Sequence, residues 1–467
     1  MSKSSEGLSP WGMARAQSVE IYPLKDPFKA EIALPGSKSF TNRALIMAAL
    51  AEGTSVLRAP LFSDDSYWCA NAFSKLGVGV RAERENDLVT IQGSTDGKLR
   101  LQDSNDLPYI GSAGTIARFL PGVVAARGEG EITLTSSDQL AKRPVVALIN
   151  ALRGWGADIK MPESASFPMV IRGGSLKGGT TTISGKVSSQ FISGLLIAAP
   201  LAERDATIKV ADHIVQADYV RITLALMKDF GVHVDHDDKL MEFQIKPQNY
   251  QPRDMQLEAD ASTATYFFAL AAATRSHITI ANLNPDTLQP DIQFVNHLKT
   301  LGCTVEQTGT RVSVQGPKQL KGGMSFDFKG CSDSTPAFVG IAPFAADVLS
   351  VRGVAHIRTH ECDRISVMHQ TLKDAGIKVE EYEDGLRIWP GKPQHVVVNP
   401  HDDHRMAMTF SVMAAAANGA TITDPSCVSK TCPNFFDLLQ KIGIEHHVRF
   451  NNVAHSGSGT VAFKKAH

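Results

Sequence analysis

The stretch GSKSFTNRALIMAALAEGTSVL, residues 36–57, shows the pattern from which the fold can be worked out. A small or polar cluster leads into an Ala-rich apolar helix, and a turn and a β-branched strand follow. Segments of the same kind begin at Gly111, Gly185, Ala259, Cys331 and Asp402. The six starts lie 71 to 75 residues apart, and this near-constant period indicates an internal structural repeat.

Each repeat is predicted to contain two helices and about four strands. Between the copies lie further amphipathic helices that end at glycine, as in VVALINALRGWGADIKM, residues 145–161. Six such units are too large for one hydrophobic core, so we expect three and three in two domains. The polar, Pro-containing PQNYQPRDM, residues 247–255, is typical of a linker between them.

Composition excludes several classes of protein. The 467 residues carry 47 basic and 48 acidic side chains, a net charge of −1, which argues against a nucleic-acid-binding protein. None of the six cysteines forms a CxxC pair, and a reduced compartment is expected. No stretch is apolar enough for a membrane helix, and the N-terminus lacks a signal-peptide core. We expect a cytoplasmic protein with no membrane association.

The chemistry-bearing side chains concentrate at the predicted helix starts. Helix starts carry unpaired N–H groups and a partial positive charge, so each polar cluster fits an N-cap and, where cations accompany it, an anion site. Starts of two domains that face a common cleft would bind a ligand with phosphate or carboxylate groups. The residues concerned are Lys38, Ser39, Arg43, Ser188, Ser189, Gln190, Asp333, His404 and Arg405.

Two motifs have a second interpretation. His401 and His404 with Asp402 and Asp403 contain metal-ligand residue types, but a helix start with one functional histidine is the favoured reading, and we predict no metal. GSAGTIAR, from Gly111, is a Gly-rich turn into a helix without the GK[ST] of a Walker motif, so packing explains it as well as phosphate binding does.

Five motifs together resemble the enolpyruvyl transferases, and most closely the branch whose acceptor is shikimate 3-phosphate. They are LPGSKSFTNRAL (34–45), KRP (142–144), VSSQF (187–191), DHRMAM (403–408) and DPSCVSKTCPNFF (424–436). The resemblance covers residues 20 to 443. It implies an α/β (α+β repeat) fold with six βαβαββ-type repeats, three per domain, and a hinge of two crossovers.

The resemblance also sets the expected boundaries. A flexible leader would occupy 1–17 and a loose tail 444–467. One domain would combine 18–36 with 257–443, and 37–256 would form the inserted central domain. The first strand would therefore join the C-terminal domain.

The family's reaction is implied as well. Enolpyruvyl would pass from phosphoenolpyruvate to the 5-hydroxyl of shikimate 3-phosphate through a tetrahedral intermediate, with release of phosphate and without cofactor. A monomer is implied, with glyphosate as a competitive ligand of the phosphoenolpyruvate pocket.

The motifs carry over individual roles. Ser39 and Arg43 would hold the carboxylate of shikimate 3-phosphate. The remaining residues for that substrate would be Lys38, Ser188, Ser189, Gln190, Gln216, Tyr219, Asp333, His356 and His360. Phosphoenolpyruvate would contact Lys38, Gly114, Arg143, Gln190, Arg364, Arg405 and Lys430. Arginine's planar fork suits bidentate binding of such anions.

The same resemblance assigns the proton transfers. Asp333 matches the acceptor for the proton of the attacking hydroxyl, and Glu361 is the candidate for proton exchange at C3. Lys38 and His404 would share the acid–base work. Crowded cations are expected to lower the pKa of Lys38 and to keep Asp333 ionised.

The chain departs from the family at several positions. Ser112 and Phe119 replace the usual Asn and Pro beside the phosphoenolpyruvate pocket, which leaves glyphosate sensitivity open. Gln216, His356 and His360 replace the usual Ser, Asn and Lys. Because histidine carries charge only when protonated, we expect a pH-dependent affinity for shikimate 3-phosphate.

Three alternatives were weighed. The sister enzymes that act on UDP-N-acetylglucosamine usually carry a reactive Cys in the loop matching SSDQLAKRP, residues 136–144, where this chain has none. RNA 3′-phosphate cyclases share the repeat unit but need a basic surface. A binding module without catalysis would not need Lys38, Asp333, Glu361 and His404 together.

Overall fold

The structure is a computed structural model that describes residues 7–450. The chain divides into two compact units. Unit 1 holds residues 7–10 and 36–257, and unit 2 holds residues 11–35 and 258–450. Sequence analysis predicted domain limits of 37–256 and of 18–36 with 257–443. Of the predicted leader and tail, residues 1–6 and 451–467 lie outside the described residues.

The strands follow the chain in this order: β1 Ala16–Ile21, β2 Lys29–Ile32, β3 Thr54–Arg58, β4 Gly79–Glu83, β5 Leu88–Gln92, β6 Glu131–Leu134, β7 Asp158–Lys160, β8 Met169–Arg172, β9 Gly179–Ile183, β10 Ala206–Val210, β11 Asp235–His236, β12 Glu242–Ile245, β13 Asp254–Gln256, β14 His277–Ile280, β15 Thr304–Thr308, β16 Arg311–Gln315, β17 Met324–Asp327, β18 Leu349–Arg352, β19 Val379–Tyr382, β20 Gly385–Ile388, β21 Val396–Val398, β22 Ala420–Thr423 and β23 His446–Phe450.

The α-helices are α1 Lys38–Leu50, α2 Asp64–Lys75, α3 Gly114–Arg127, α4 Asp138–Ala141, α5 Val146–Gly154, α6 Ser189–Ala198, α7 Asp218–Asp229, α8 Ala261–Thr274, α9 Phe294–Thr300, α10 Thr335–Ile341, α11 Arg364–Asp374, α12 His404–Ala416 and α13 Phe435–Lys441. No helix among residues 7–450 is both long enough and apolar enough to cross a membrane.

Each unit contains three small sheets, one for each repeat. In unit 1 the strand orders are β13-β3-β5-β4, β6-β8-β7 and β11-β12-β10-β9. In unit 2 they are β15-β16-β14-β2, β17-β18-β20-β19 and β21-β22-β1-β23. A typical sheet contains one parallel pair of strands and otherwise antiparallel pairs. For example, β9 runs parallel to β10, and β12 runs antiparallel to β10. In the third, fifth and sixth repeats a helix connects the two parallel strands: α6 lies between β9 and β10, α10 between β17 and β18, and α12 between β21 and β22.

Three repeats include a strand from elsewhere in the sequence. The sixth has β1, which pairs antiparallel with β22 and β23. The first repeat has β13 parallel to β3, although nearly 200 residues separate these two strands. The fourth repeat has β2 parallel to β14. The segment predicted as a linker, 247–255, therefore leads into a sheet strand. The three residues of β13 are too short a stretch to show a periodicity that sequence analysis could find.

The predicted apolar helix of each repeat lies inside its unit. In α3 every residue from Gly114 to Ala126 is buried, and α12 is buried from His404 to Ala415. A helix that is apolar on all sides belongs in a core. In unit 1, α3 packs against α1 and α6, and in unit 2 the helices α8, α10 and α12 pack against one another. The outer helices carry the amphipathic patterns.

The ends of the described chain are more structured than predicted. Trp11 is 3% exposed, and the backbone N–H groups of Met13 and Ala16 donate to the hydroxyls of Ser429 and Ser426, both at 2.8 Å. At the other end β23 pairs with β1. The leader from residue 11 and the tail up to residue 450 thus belong to the core of unit 2.

Candidate active site

The predicted site residues divide between the units. Unit 1 carries Lys38, Ser39, Arg43, Gly114, Arg143, Ser188, Ser189, Gln190, Gln216 and Tyr219, and unit 2 carries Asp333, His356, His360, Glu361, Arg364, His404, Arg405 and Lys430.

The start of α1 is fixed by a glycine. A Cβ at Gly36 would lie 2.3 Å from the backbone oxygen of Ala59, so no other residue fits there. The chain then turns into α1, where Lys38 and Ser39 are half-buried in the first turn. Thr41 accepts a hydrogen bond from the backbone N–H of Leu61 and anchors this turn. Glycine, cation and hydroxyl are thus held close together at a helix start.

Arg43 joins the second turns of the three inner helices of unit 1. Its side chain is 2% exposed, and its Nε donates to Thr223 Oγ1 at 2.7 Å. Its Nη2 reaches Ser193 Oγ on α6 at 3.4 Å, and its guanidinium lies 5.0 Å from the centre of the Phe119 ring on α3. We call these residues, with Tyr219, the Arg43 cluster.

The Arg43 cluster neutralises the cation poorly. The hydrogen bonds that the described residues give Arg43 end on hydroxyl or carbonyl oxygens, those of Thr223, Ser39, Ser193 and Tyr219. Burial lowers the pKa of Arg43 to about 10, so the group is still charged at pH 7. A buried cation surrounded by neutral acceptors attracts an anion strongly.

Gly114, the first residue of α3, lies directly against Arg143. A Cβ at Gly114 would be 2.5 Å from Arg143 Nη1 and 3.4 Å from Arg118 Nη1. Arg118 donates to the carbonyl of Gly114 at 2.9 Å, and another of its nitrogens donates to Pro144 O at 3.2 Å. Two guanidiniums therefore flank this glycine. The predicted pair Gly114 and Arg143 is in contact, and Arg118 is a neighbour that sequence analysis did not single out.

The start of α6 presents hydroxyls and amides. Ser188 is the N-cap, and its hydroxyl accepts from the backbone N–H of Gln190 at 3.2 Å. Ser189 is buried, whereas Ser188 and Gln190 are half-buried. Before α7, Gln216 has a φ of 51°, and its Nε2 is buried without a hydrogen-bond partner among the described residues. An amide donor held in this way suits an acceptor oxygen supplied by a ligand.

The positions that depart from the family are packed tightly. Ser112 is buried, and its hydroxyl lies 2.8 Å from that of Ser137. Phe119 is fully buried beneath Arg43. Both side chains therefore have structural partners in unit 1.

In unit 2 the predicted residues form one ionic network around Arg364. This side chain is 1% exposed. Its Nε donates to Asp403 Oδ2 at 2.8 Å, its Nη2 to Glu361 Oε2 at 2.7 Å and its Nη1 to Asp333 Oδ1 at 3.1 Å. Although burial alone lowers the pKa of Arg364, the carboxylates more than offset it, and the net shift is upward. We call these residues, with Arg405, the Arg364 cluster.

Asp333 is held between two arginines. Besides the bond from Arg364, Arg405 Nη2 lies 2.9 Å from Asp333 Oδ2. Asp333 belongs to the 3-10 turn Ser332–Ser334 that precedes α10, and Arg405 belongs to the first turn of α12. The predicted base and two predicted cations for phosphoenolpyruvate are therefore in direct contact.

Asp403 is the member of this network that sequence analysis missed as a site residue. It is fully buried, caps α12 by accepting from the backbone N–H of Arg405 at 2.9 Å, and accepts from Arg364. The motif DHRMAM contains it, but its link to Arg364 spans 39 positions and has no local signal.

His356 and His360 lie beside Asp333 as neutral groups. His356 Nε2 is 2.7 Å from Ser332 Oγ, and His360 Nδ1 is 3.0 Å from Arg364 Nη1. Burial lowers the pKa of His356, and burial with the charge of Arg364 lowers the pKa of His360 to about 3. The affinity for shikimate 3-phosphate, which the sequence predicts to depend on pH, is therefore expected to change through these histidines only below neutral pH.

The residues around the start of α12 are paired with cations. Lys430 is 4% exposed, and its Nζ donates to the backbone oxygen of Asp402 at 2.7 Å and to Oδ2 of that residue at 3.1 Å. His404 is fully buried, with Nδ1 3.8 Å from Asp403 Oδ1. Because Asp402 and Asp403 bind Lys430 and Arg364, this motif acts as an ion-pairing helix start.

Comparison with known proteins agrees with the motifs. Residues 24–439 match the family model of EPSP synthase (3-phosphoshikimate 1-carboxyvinyltransferase). The chain is 42% identical to 3-phosphoshikimate 1-carboxyvinyltransferase 2 of Halalkalibacterium halodurans, over 94% of this chain and 98% of that protein. It is 38% identical to the corresponding protein of Nostoc sp., over 91% and 99%. The structure matches EPSP synthase from Acinetobacter baumannii with a TM-score of 0.78 and 27% identity, over 92% and 99%.

Proposed function

This chain belongs to the EPSP synthase family, and on that premise we propose which of its residues carry out the family's reaction. The enzyme transfers the enolpyruvyl group of phosphoenolpyruvate to the 5-hydroxyl of shikimate 3-phosphate and releases phosphate. The reaction belongs to the shikimate pathway and aromatic amino acid biosynthesis. UDP-N-acetylglucosamine, the alternative acceptor, is not the one that the matched family's name gives.

One observation supports the assignment above all others. Asp333 is bonded to both Arg364 and Arg405, at 3.1 and 2.9 Å. In the reaction a base must lie beside the cations that bind phosphoenolpyruvate, because the hydroxyl that it deprotonates attacks C2 of that substrate. The contacts of Asp333 meet this requirement within unit 2.

The addition step then follows from these contacts. The 5-hydroxyl oxygen forms a bond to C2 and gives its proton to Asp333, while C3 takes a proton from Glu361. Arg364 and Arg405 bind the carboxylate or phosphate of phosphoenolpyruvate and stabilise the charge on the tetrahedral intermediate. Lys430 adds a further cation, and His404 and Lys38 assist the proton transfers.

The elimination step reverses the exchange at C3. Glu361 takes the C3 proton back, the C–O bond to phosphate breaks, and the proton that came from the hydroxyl leaves with phosphate. Glu361 must change its protonation state in each step. Its bond to Arg364 at 2.7 Å fixes where this carboxyl group lies.

The residues of unit 1 are proposed to hold substrate anions. Arg43 and Ser39 bind the shikimate carboxylate, and Tyr219 lines the ring. Ser188, Ser189 and Gln190 offer hydroxyl and amide groups to the substrate phosphate, and the unpartnered Nε2 of Gln216 supports a role for that residue. Gly114 and Arg143 contact phosphoenolpyruvate, since only a residue without a side chain leaves Arg143 in place.

Three further properties are part of the proposal. Glyphosate competes with phosphoenolpyruvate, the protein is a monomer, and it works in the cytoplasm. The guanidiniums of Arg143 and Arg118 beside Gly114 support competition, because phosphoenolpyruvate and glyphosate are both anions.

The test is phosphate release from phosphoenolpyruvate with either shikimate 3-phosphate or UDP-N-acetylglucosamine as acceptor. We expect release with shikimate 3-phosphate alone, and its loss in Asp333→Ala. Asp327→Ala, at an exposed position near the end of β17, is the matched control and should keep full activity. Release with the nucleotide sugar, or an active Asp333→Ala, would contradict the assignment.

A further inference from the structure

A second buried carboxyl group lies next to the Arg364 cluster. Asp291 belongs to the 3-10 turn Pro290–Gln293, which connects β14 to α9 and packs against the start of α8. Gln289 locks the turn in place, because its Oε1 accepts from the backbone N–H of Ala261 at 3.0 Å and its Nε2 donates to Ala259 O at 2.8 Å. The turn is therefore part of the rigid core.

The carboxyl of Asp291 is shielded from solvent. Its side chain is 1% exposed, and Ser262 Oγ donates a hydrogen bond to its Oδ2. The turn also packs against the 3-10 turn that carries Asp333. The charged groups that act on Asp291 from the neighbouring elements are Asp333, Arg405 and Asp260. Burial of a carboxyl beside another carboxylate is costly and needs an explanation.

The surroundings of Asp333 supply that explanation. Two guanidiniums bind Asp333 directly, and such partners stabilise its anion and weaken it as a base. His356 and His360 also lie nearby and are neutral. A base that must accept a proton from a hydroxyl group needs a higher proton affinity than two arginines allow. A neighbouring negative charge raises that affinity.

We propose that Asp291 is a positioning residue that raises the proton affinity of Asp333, so that the two carboxyls hold one proton between them during the addition step. The inference rests on the function proposed above. The proton leaves the 5-hydroxyl oxygen as its bond to C2 forms, stays on the pair through the tetrahedral intermediate, and departs with phosphate. Asp291 itself contacts no substrate.

The titration of Asp291 agrees with this geometry. Burial and the charge of Asp333 raise the pKa of Asp291 to about 7. Electrostatic coupling is reciprocal, so the effect of Asp333 on Asp291 implies an equal effect of Asp291 on Asp333. The two carboxyls therefore titrate as a coupled pair.

The experiment compares Asp291→Asn with the wild type in kcat and KM from pH 5.5 to 9. Asparagine keeps the shape and the bond to Ser262 but removes the charge. We expect kcat to fall by about 10- to 100-fold, within the range for acid–base catalysis. The acidic limb of the pH profile should move to lower pH, and both KM values should change less than about threefold, because the lost interaction belongs to the transition state.

Two further variants separate this role from a structural one. Asp291→Glu should restore part of kcat and the acidic limb. Asp286→Asn, an exposed aspartate in the same connection, should match the wild type throughout.

Unfolding by urea at pH 6 and pH 8 gives a readout that does not depend on substrate. Because folding raises the pKa of Asp291, the folded wild type binds more protons than the unfolded chain above the usual pKa of an aspartate. The wild type therefore loses stability as the pH rises towards 7. Asp291→Asn should lack this loss and be at least as stable as the wild type at pH 8.

The outcomes are distinct. An Asp291→Asn variant with wild-type kcat and an unshifted pH profile would overturn the inference. So would a variant that is less stable at pH 8 and slower by the same factor at every pH, since that result describes a structural aspartate. A wild type without activity towards shikimate 3-phosphate would instead refute the proposed function and the inference with it.

Discussion

Two buried arginines, one in each unit, have opposite surroundings. Arg43 is 2% exposed and donates to neutral oxygens, whereas Arg364 is 1% exposed and donates to Asp333, Glu361 and Asp403. The pKa of Arg43 is lowered to about 10 by burial, and that of Arg364 is raised by its carboxylates in spite of burial.

We infer that Arg43 serves to bind substrate, whereas Arg364, besides its proposed contact with phosphoenolpyruvate, organises the groups around it. The hydrogen bonds of Arg43 within its cluster end on neutral oxygens, so we propose that a ligand anion balances its charge. The charge of Arg364 is balanced before substrate arrives, so it fixes the positions of two acid–base groups and stabilises the fold. Residue type alone therefore does not define the role of a buried cation.

Removing Arg364 should have the largest effect. Arg364→Met would leave Asp403 and its partner carboxylates without their counter-ion, and loss of one member of a buried ion pair costs about 3–5 kcal/mol. We expect this loss in urea unfolding at pH 8. An equally stable variant would show that Arg364 organises nothing.

Arg43→Met should leave stability nearly unchanged and remove affinity. Its hydrogen bonds end on neutral oxygens, and methionine fills similar space, so we expect a change of less than about 1 kcal/mol in unfolding. Affinity for shikimate 3-phosphate should fall about 10- to 150-fold, as expected for hydrogen bonds to a charged group worth roughly 1.5–3 kcal/mol. Calorimetric titration would measure it. If Arg43→Met lost as much stability as Arg364→Met, the inferred difference between the two arginines would be wrong.

Gly114→Ala tests the second cation site of unit 1. The new Cβ would displace Arg143 Nη1, now 2.5 Å from that position. Because the guanidinium is the flexible end of a side chain, the protein should fold normally, and KM for phosphoenolpyruvate should rise about tenfold, the equivalent of 1.4 kcal/mol. Affinity for shikimate 3-phosphate should stay the same. Steady-state kinetics would measure this change. Gly122→Ala, whose new Cβ would meet Ala198 and Leu152 and not a cation, is the control that separates the loss of the Arg143 position from a general disturbance of core packing.

The smallest expected effect concerns His356 and His360. Since the pKa of both is lowered, both are neutral at pH 7 and gain charge only as the pH falls. We expect the affinity ratio between the wild type and a double His→Gln variant to stay within about twofold from pH 6.5 to 8.5 and to rise at lower pH. Because ionisation of the substrate phosphate affects both proteins equally, it does not change this ratio. A rise already between pH 8 and 7 would mean that the bound phosphate raises these pKa values.

Much of the fold could be predicted from the sequence because it repeats. Small-residue helix starts at a constant spacing identified the inner helices α1, α3, α6, α8, α10 and α12. The borrowed strand β13 could not be found, because a three-residue strand has no readable periodicity. Likewise β23, with the sequence HHVRF, has no clean alternation of apolar and polar residues.

The candidate site likewise has residues that the sequence predicts and residues that it does not. Motif residues such as Lys38, Arg43 and Arg405 stand at helix starts, where the sequence shows them. The groups that set the charge and position of these residues are distant in sequence and cannot be recognised there. Thr223 accepts a hydrogen bond from Arg43 across 180 positions, and Asp403 accepts one from Arg364 across 39. Asp291 lies in a turn, QPDIQ, whose sequence predicts only a loop. The pKa and position of a site residue depend on tertiary contacts, and a single sequence shows no local pattern for these.

The position of β1 has a consequence for synthesis on the ribosome. Strand β1 leaves the ribosome early, yet its partners β22 and β23 follow about 400 residues later. At roughly 5–20 residues per second, β1 waits about 20–80 s without a partner. Residues 36–257 contain all three sheets of unit 1 and can fold during that wait. Until then β1 is an unpaired strand, open to pairing with other chains.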